Sequence, residues 1–363
     1  MSSDHTRARR RDRRVYLASH PVLFAAFAAL RRSPVRRAGS RVVVSGTDAV
    51  RRTLTEIRLD RVAERTTGGA IRRHEGSGAL FDQTGDAHRL ARRDLARRLD
   101  SRGVAQLRPV WRPVLDEMRA ALARGDEIDL CDVADQISGR TTAALLGLEL
   151  TPAECVELAR AARRTASSAA AAEVPSWRRL GFRDDLVDAF DGRVDPLGKM
   201  LALAAVNTTY AAVPRAVAWA ADADLWPDAL DPVRRPVLVA ELLRVLAPTP
   251  LLPRVPAAAA ELDGCPITPD DQLLVMVRHA VEAHRRDPDV DAPASPAIGQ
   301  LVFGAGAHAC PGAHLARTQL DDVLAALAPY APRVVRCAAD RRAALPAWRT
   351  LVVAARSDVG SSP

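Results

Sequence analysis

The stretch FGAGAHACPG, residues 303–312, decides how the rest of this chain is interpreted. It is a glycine-rich loop that ends in Cys310, and apolar residues recur at helical spacing directly after it. Pro311 suits the first position of that helix. Unpaired backbone N–H groups and the positive end of the helix dipole favour a thiolate at Cys310. Glycines beside it let the backbone approach a flat ligand, so the loop predicts a cysteine that ligates haem iron.

The pattern Phe-Gly-x-Gly-x-His-x-Cys-Pro-Gly resembles the haem-binding loop of the cytochrome P-450 family. For an isolated cysteine, a buried free thiol beside an ordinary helix cap is the alternative, but a signature of this length seldom arises by chance. The resemblance implies a b-type haem (iron protoporphyrin IX) whose iron is bound by Cys310. It also places four other loop residues at the cofactor, namely Phe303, Gly304, His308 and Gly312.

The resemblance implies a mainly α fold with small β-sheets, in which haem lies between a long central helix and the helix after the cysteine loop. Helical patterns over 87–98, 104–123, 128–148, 159–172, 196–221 and 236–246 agree with it. The run 196–221 is apolar on most faces, so we expect it to be central, with Pro214 kinking or breaking it. We predict one domain over 16–355, a disordered basic tail over 1–15 and a flexible C-terminus over 356–363.

Composition limits the class of protein and its compartment. Of 363 residues, 48% are hydrophobic, which allows a sizeable core. The five cysteines are scattered without a C-x-x-C pair, which is typical of a reducing cytoplasm. Arginine supplies almost all of the positive charge, and the net charge is +8. This arginine content reflects either a GC-rich genome or a basic face for an acidic partner. Nucleic acid is not expected, because the arginines are mixed with Asp and Glu and lack interleaved aromatics.

A short apolar run, residues 21–30, follows the basic N-terminus. It is too short to span a bilayer, and no cleavage site of the signal-peptide type follows it. We therefore expect an amphipathic helix packed on the body of a soluble cytoplasmic protein with no membrane partner.

Four side chains outside the cysteine are candidates for binding the haem propionates. Arg254 keeps the family spacing downstream of Glu241, and a guanidinium suits a carboxylate. His88 and Arg92 lie one helical turn apart, and in the family such a pair also meets a propionate, as His308 is expected to do. Alternatives are a solvated arginine at 254 and structural histidines.

The pair Glu241 and Arg244 matches the Glu-x-x-Arg helix motif of the family, where it is structural. At i and i+3 the two side chains share a helix face, although such pairs are usually solvated and contribute little. The stretch 287–303 lacks an evident arginine to complete the family's Glu–Arg triad.

The oxygen-activation segment is where the resemblance is weakest. Residues 204–209, AAVNTT, align with the family's Ala-Gly-x-Asp/Glu-Thr-Thr, so Thr208 is present but Asn207 replaces the acid. Thr208 and Asn207 are our candidate catalytic residues. An amide forms hydrogen bonds but does not titrate, and Thr208 could instead bond back to a carbonyl one turn earlier. The stretch between 147 and 196 also lacks room for the usual pair of lid helices at full length.

The resemblance implies a monooxygenase that oxidises a small hydrophobic or secondary-metabolite substrate with dioxygen. Electrons would come from a ferredoxin and its reductase, because no flavin or iron–sulfur motif is visible. Two alternatives stay open. One is an atypical P-450 enzyme that runs on peroxide or performs coupling or rearrangement, and the other is a non-catalytic P-450-like auxiliary protein.

Overall fold

A computed structural model describes residues 3–18, 20–66, 69, 85–173, 183–190 and 192–356. The chain is mainly helical, as the cysteine-loop resemblance predicts. The α-helices of the described part are α1 Ser3–Ala18, α2 Pro21–Leu30, α3 Thr47–Thr55, α4 Gly85–Arg98, α5 Ser101–Ala123, α6 Leu130–Leu146, α7 Pro152–Glu173, α8 Asp185–Phe190, α9 Pro196–Ala223, α10 Trp226–Leu230, α11 Arg235–Leu246, α12 Val277–Ala280, α13 Pro296–Gln300 and α14 Ala313–Leu327.

The β-structure is confined to small sheets. Its strands are β1 Val35–Ala38, β2 Arg41–Val44, β3 Leu59–Asp60, β4 Ile128–Asp129, β5 Leu252–Pro256, β6 Ala260–Leu262, β7 Cys265–Ile267, β8 Gln272–Val275, β9 Arg333–Ala339 and β10 Trp348–Ala354. One sheet has the order β1-β2-β8-β5-β3, a second has β4-β10-β9, and β6 pairs with β7. In the first sheet Asp60 pairs with Val255, so the chain after β3 is brought beside Arg254.

The central helix is α9, as its apolar sequence predicts. Asp195 caps it by accepting a hydrogen bond from the Gly198 N–H at 2.6 Å. Side chains around its C-terminal half are buried on every face, and the helix packs against α1, α6, α7 and α11. It runs continuously through Pro214, so the expected break is not found. The tertiary packing on all sides holds the backbone that proline weakens.

The N-terminal segment corrects the prediction of a disordered tail over 1–15, because residues 3–18 form α1. Ala8, Asp12 and Val15 are at most 4% exposed and recur at helical spacing, so α1 presents a buried stripe to the body. The high arginine content suggested a solvated tail, whereas several of these arginines bind carboxylates elsewhere in the fold. Arg9 Nε, for example, donates to Asp287 Oδ1 at 2.9 Å.

Asp12 is the centre of a buried ion cluster. Arg215 Nη2 of α9 lies 2.6 Å from Asp12 Oδ1, and Arg278 Nη2 of α12 lies 2.7 Å from Asp12 Oδ2. Burial alone would raise the pKa of Asp12, but the two guanidinium groups hold that pKa below 3.8. Arg215 and Arg278 also donate to the Leu246 carbonyl at the end of α11. The cluster thus joins the N-terminal helix to the core.

Within the described ranges, no helix is both long and apolar enough to cross a membrane. The expected flexible C-terminus, 356–363, lies outside the described residues apart from Arg356.

Candidate functional site

The cysteine loop, residues 303–312, starts at the end of one 3-10 turn, Leu301–Phe303, and contains a second, Gly306–His308. Helix α14 follows the loop. The Cys310 N–H donates to the Phe303 carbonyl at 2.6 Å, which closes the loop. Gly304 and Gly306 have φ values of 74° and 69°, a region that side chains disfavour. A Cβ at Gly306 would also lie 2.8 Å from the Leu54 carbonyl oxygen, so the loop can pack on α3 only without a side chain there.

The helix after the loop begins at Ala313 with Gly312 as its N-cap residue. Pro311 therefore precedes the helix rather than occupying its first position. Gly312 lies beside the sulfur, since a Cβ there would be 3.7 Å from Cys310 Sγ. The cysteine is thus held at the N-terminal end of α14, where its side chain is accessible to solvent although protein atoms surround the sulfur on its other sides.

Burial by the surrounding protein raises the pKa of the Cys310 thiol. A hydrogen bond from the Gly312 backbone and the charges of Arg92 and Arg317 act in the opposite direction, but they are the smaller effects. The Gly312 N–H and the two arginines thus favour the thiolate, against the cost of removing its charge from water. A coordinated metal ion deprotonates a thiol outright, so the loop fits a sulfur that loses its proton on binding iron.

Arg317, which sequence reasoning missed, lies on the first turns of α14. Its guanidinium carbon is 4.5 Å from the centroid of the Phe303 ring, a cation–π contact that fixes the ring at the start of the loop. The residue follows Cys310 by two helical turns, and only the fold shows that its charge lies near the sulfur.

The predicted propionate ligands converge next to the cysteine loop. The rings of His88 and His308 stack with centroids 4.1 Å apart. Arg92 Nη2 donates to the carbonyl of Ala309, directly before the cysteine. Burial, and then the charges of Arg61, His88, Arg254 and Arg92, lower the pKa of His308 to about 3. Burial and Arg61 likewise lower the pKa of Arg254 to about 10.

These basic side chains are crowded together. Neither Arg92 nor Arg254 has a carboxylate at ion-pair distance in the part of the chain that the structure describes. Arg254 Nη1 donates to its neighbouring Pro253 carbonyl at 2.9 Å, while Arg254 Nε and His88 Nε2 are buried and have no hydrogen-bond partner. Such a cluster is costly unless negative charge enters it. The residues present therefore fit a dianionic haem bound beside the cysteine loop.

Arg61 is a further member of this cluster that sequence reasoning missed. It follows β3, and its charge lowers the pKa values of His88, His308 and Arg254. Burial lowers the pKa of Arg61 itself. The residue lies in no recognisable motif, and its proximity to Arg254 depends on the pairing of β3 with β5.

The candidate catalytic residues on α9 form hydrogen bonds within the helix. Thr208 Oγ1 donates to the Ala204 carbonyl at 2.7 Å, which is the back-bonded geometry considered above. Asn207 Nδ2 donates to the Leu203 carbonyl at 2.7 Å and to the Ala162 carbonyl of α7 at 3.5 Å. Both side chains thus have partners before any water or substrate is considered.

A small pocket with room for about one water molecule adjoins Asn207. Arg163 of α7 and Tyr210 of α9 line it, and the Arg163 guanidinium carbon lies 3.8 Å from the Tyr210 ring centroid. Arg163 Nη2 also donates to Asp135 Oδ2 at 3.0 Å. Burial raises the pKa of Asp135 despite Arg163 and Arg160. Arg163 thus links a buried titratable carboxyl group, Asp135, to the pocket beside the Asn207 amide.

Glu241 and Arg244 form a fully buried bidentate pair, with Nε–Oε1 and Nη2–Oε2 distances of 2.9 and 2.7 Å. The third member of the family triad, an arginine, is replaced here by backbone groups. The N–H groups of Asp289 and Ala294 donate to Glu241, and Arg244 donates to the carbonyl of Asp287. Asp287 in turn binds Arg9 of α1, so the N-terminal helix supports this network.

No family model matches this chain. The erythromycin C-12 hydroxylase of Saccharopolyspora erythraea is 39% identical over 104 residues, which are 26% of this chain and 26% of the hydroxylase. The match thus spans about a quarter of that relative's length.

Solved structures resemble the whole chain. A mutant of P-450 EryK in complex with erythromycin B has a TM-score of 0.72 at 22% identity, covering 95% of this chain and 99% of its own. A mutant of CYP105P1 has a TM-score of 0.69 at 26% identity, with 92% and 96% covered. This chain has the cytochrome P-450 fold. Its fold implies haem as the cofactor, and the family resemblance of the cysteine loop agrees with the chemistry of the residues gathered around it.

Proposed function

We propose that this P-450 is a haem-thiolate monooxygenase that oxidises a hydrophobic secondary metabolite. Haem b would be the cofactor, and a ferredoxin with its reductase would supply electrons. The observation that carries the proposal is the cysteine loop beside a cluster of basic side chains for whose arginines the described residues provide no carboxylate. One end of this region offers a sulfur ligand for iron, and the other offers positive charge for two propionates. Haem is a single molecule that matches both.

Residues of the cysteine loop and its neighbours would position the cofactor. Cys310 would bind iron through its sulfur, with Gly312 leaving room beside the atom. Arg254, His88, Arg92 and His308 would share the propionates. A thiolate-ligated haem supplies activation of dioxygen at the expense of two electrons. Exposed arginines on α4, Arg93 and Arg97, would offer a docking surface for an acidic ferredoxin.

Proton delivery would use the segment around Asn207. The Asn207 amide carries no titratable proton, but it adjoins the cavity lined by Arg163 and Tyr210. Water held there can accept and donate hydrogen bonds to the amide and pass protons along α9. Thr208 would have to release the Ala204 carbonyl before its hydroxyl could bond to water near the reacting atoms.

The substrate class is supported by relatives. The curated relative is an erythromycin hydroxylase, and a solved structure that matches this fold holds erythromycin B. We propose a secondary metabolite of comparable polarity, bound between α7 and α9. Adding candidate metabolites to the purified protein tests this, because displacement of an iron-bound water shifts the Soret band. No shift across such metabolites, in a protein with full haem content, would contradict the substrate class.

A peroxide-driven enzyme is the second candidate, and the back-bonded Thr208 with Asn207 beside it favours that reaction. Peroxide brings its own protons and electrons, so it does not need a titrating acid on α9. Turnover with ferredoxin and NADPH is compared with turnover in hydrogen peroxide, for wild type and Asn207→Asp. The monooxygenase predicts ferredoxin-dependent product and better coupling of NADPH use to product in the variant. Product from peroxide alone, with coupling unchanged by the variant, would replace the first proposal with the second.

A further inference from the structure

Helix α2 has an exposed face without a single polar side chain. Val22, Ala25, Ala26 and Ala29 are all exposed and recur at i, i+3, i+4 and i+7, which places them along one face. Val22 is 82% exposed, and Leu23 beside it is 39% exposed. The opposite face holds the helix to the body, where Phe24 stacks on Tyr16 of α1 with ring centroids 4.3 Å apart. The exposed face is therefore presented by a firmly seated helix.

The net charge of the protein is concentrated around this helix. Residues 13–47 contain seven arginines and no Asp or Glu, whereas the remainder of the chain has 45 basic and 44 acidic residues. Only Arg37 of the seven is bound to a carboxylate, that of Asp271. The other arginines of this segment form no ion pair within the described ranges and are all exposed: Arg13, Arg14, Arg31, Arg32, Arg36 and Arg41.

The arginines lie on segments that are next to α2 in sequence or that pack against it. Arg31 and Arg32 follow the last residue of α2 directly, and Arg36 lies on β1, the edge strand of its sheet. Arg13 and Arg14 lie on the last turns of α1, the helix that packs against α2. We call the exposed face of α2 together with these five arginines the α2 surface. It combines an apolar face with flanking arginines.

We propose that the α2 surface docks this protein on an anionic lipid bilayer, with α2 lying in the interface. The exposed side of α2 supplies an apolar face, and the flanking arginines supply the basic residues with which interfacial segments bind anionic lipids. Anionic headgroups attract the arginines, and acyl chains accept the valine, leucine and alanine side chains. A protein partner would require hydrogen-bonding groups and large aromatic anchors, and the exposed face of α2 offers neither. The proposal does not depend on the proposed oxidation chemistry, and it replaces the expectation of no membrane partner.

The test is co-sedimentation of the full-length haem-loaded protein with large vesicles. One set contains phosphatidylcholine with about a third phosphatidylglycerol, and the other contains phosphatidylcholine alone. We expect binding to the anionic vesicles only, weakened by salt. Val22→Ser/Leu23→Ser should weaken it at least about tenfold, and Arg32→Ser/Arg36→Ser about twenty-five-fold, at about fivefold per arginine.

Matched controls lie on other surfaces of the fold. Leu230→Ser/Val233→Ser removes two apolar side chains that are 53% and 80% exposed. Arg341→Ser/Arg342→Ser removes two neighbouring exposed arginines. Both should bind vesicles as wild type does, and unchanged thermal melts should show that every variant is folded.

Three results would overturn the proposal. The first is no binding to either vesicle. The second is binding lost in the arginine variant but kept in Val22→Ser/Leu23→Ser, which would indicate surface adsorption without insertion of α2. The third is concentration-dependent self-association, without vesicle binding, that Val22→Ser/Leu23→Ser abolishes, which would make the face a protein interface.

Discussion

Two groups of arginines in this protein differ in whether the fold supplies their counter-charge. At the junction of α1, α9 and α12, Arg215 and Arg278 share the carboxylate of Asp12. Beside the cysteine loop, Arg254 has no carboxylate among the described residues, and its buried Nε has no hydrogen-bond partner. A charge that the protein itself neutralises is structural, whereas one left unpaired is costly until a ligand arrives. The difference separates arginines that hold the fold from arginines whose charge the described residues leave uncompensated, as the proposed propionate site requires.

The largest expected effect concerns the loop beside the unpaired cluster. Cys310→Ser should abolish the red-shifted absorption band of the reduced carbon monoxide complex, because a serine hydroxyl does not provide a thiolate. Cys265→Ser, a half-buried cysteine outside the site, is the control and should keep the band. Absorption spectra of the reduced protein with and without carbon monoxide provide the measurement. A Cys310→Ser protein with an unchanged band would end the assignment of the iron ligand.

Breaking the paired cluster should destabilise the fold. Asp12→Ala leaves two buried guanidinium groups uncompensated, so we expect the free energy of unfolding to fall by about 3–5 kcal/mol. Asp126→Ala removes an exposed partner of Arg124 and should cost less than about 1 kcal/mol. Urea unfolding followed by circular dichroism measures both. Equal effects of the two variants would show that the Asp12 cluster is not a structural unit.

The Asp12 contribution also has a definite pH dependence. The folded-state pKa of Asp12 lies below its unfolded value of 3.8, so its stabilisation is complete above about pH 4 to 5. It is lost as pH falls through the folded-state pKa. The difference in unfolding free energy between wild type and Asp12→Asn should therefore be constant near neutrality and shrink below pH 3.8. A difference that grows on acidification would contradict the assignment.

Removing a member of the unpaired cluster should weaken haem binding without destabilising the haem-free fold, the opposite of the effect expected for Asp12→Ala. Arg254→Met should accelerate haem transfer to apomyoglobin about ten- to a hundredfold, because a charged hydrogen bond contributes about 1.5–3 kcal/mol. The haem-free protein should be no less stable, since the variant removes an unpaired charge. Arg93→Met, on the exposed face of α4, should transfer haem at the wild-type rate. Loss of apoprotein stability in Arg254→Met would show that this arginine is structural, as Arg215 is.

The smallest expected effect concerns the exposed arginines of α4 and the rate at which a ferredoxin reduces the protein. Arg93→Glu should slow reduction by an acidic ferredoxin a few-fold, and the wild-type rate should fall steeply with ionic strength. Arg341→Glu, a charge reversal on the β9–β10 connection, is the control. Stopped-flow absorption of the haem measures the rates. Salt-independent reduction would leave the α4 arginines as a solvated helix face.

The two clusters also differ in how far sequence could predict them. His88, Arg92 and Arg254 were assigned from family spacing, and the structure places them together beside the cysteine loop. Arg61 lies in no sequence motif. Its place in the cluster follows from the pairing of β3 with β5, so the sequence did not predict it. The Asp12 cluster was missed altogether: its partners lie about 200 and 266 residues away, and the arginine content around Asp12 suggested disorder.

Sequence by itself determined the features that depend on short stretches of chain. The cysteine loop needs glycines at positions with positive φ, Glu241 and Arg244 need only one helical turn, and the central helix shows in its apolar run. Tertiary structure decided what is paired, buried or exposed. Backbone N–H groups replace the missing arginine at Glu241, Thr208 bonds back within α9, and α2 buries its phenylalanines while leaving Val22 outside. The reason is physical: burial and counter-charge come from segments distant in sequence, and no local pattern records them.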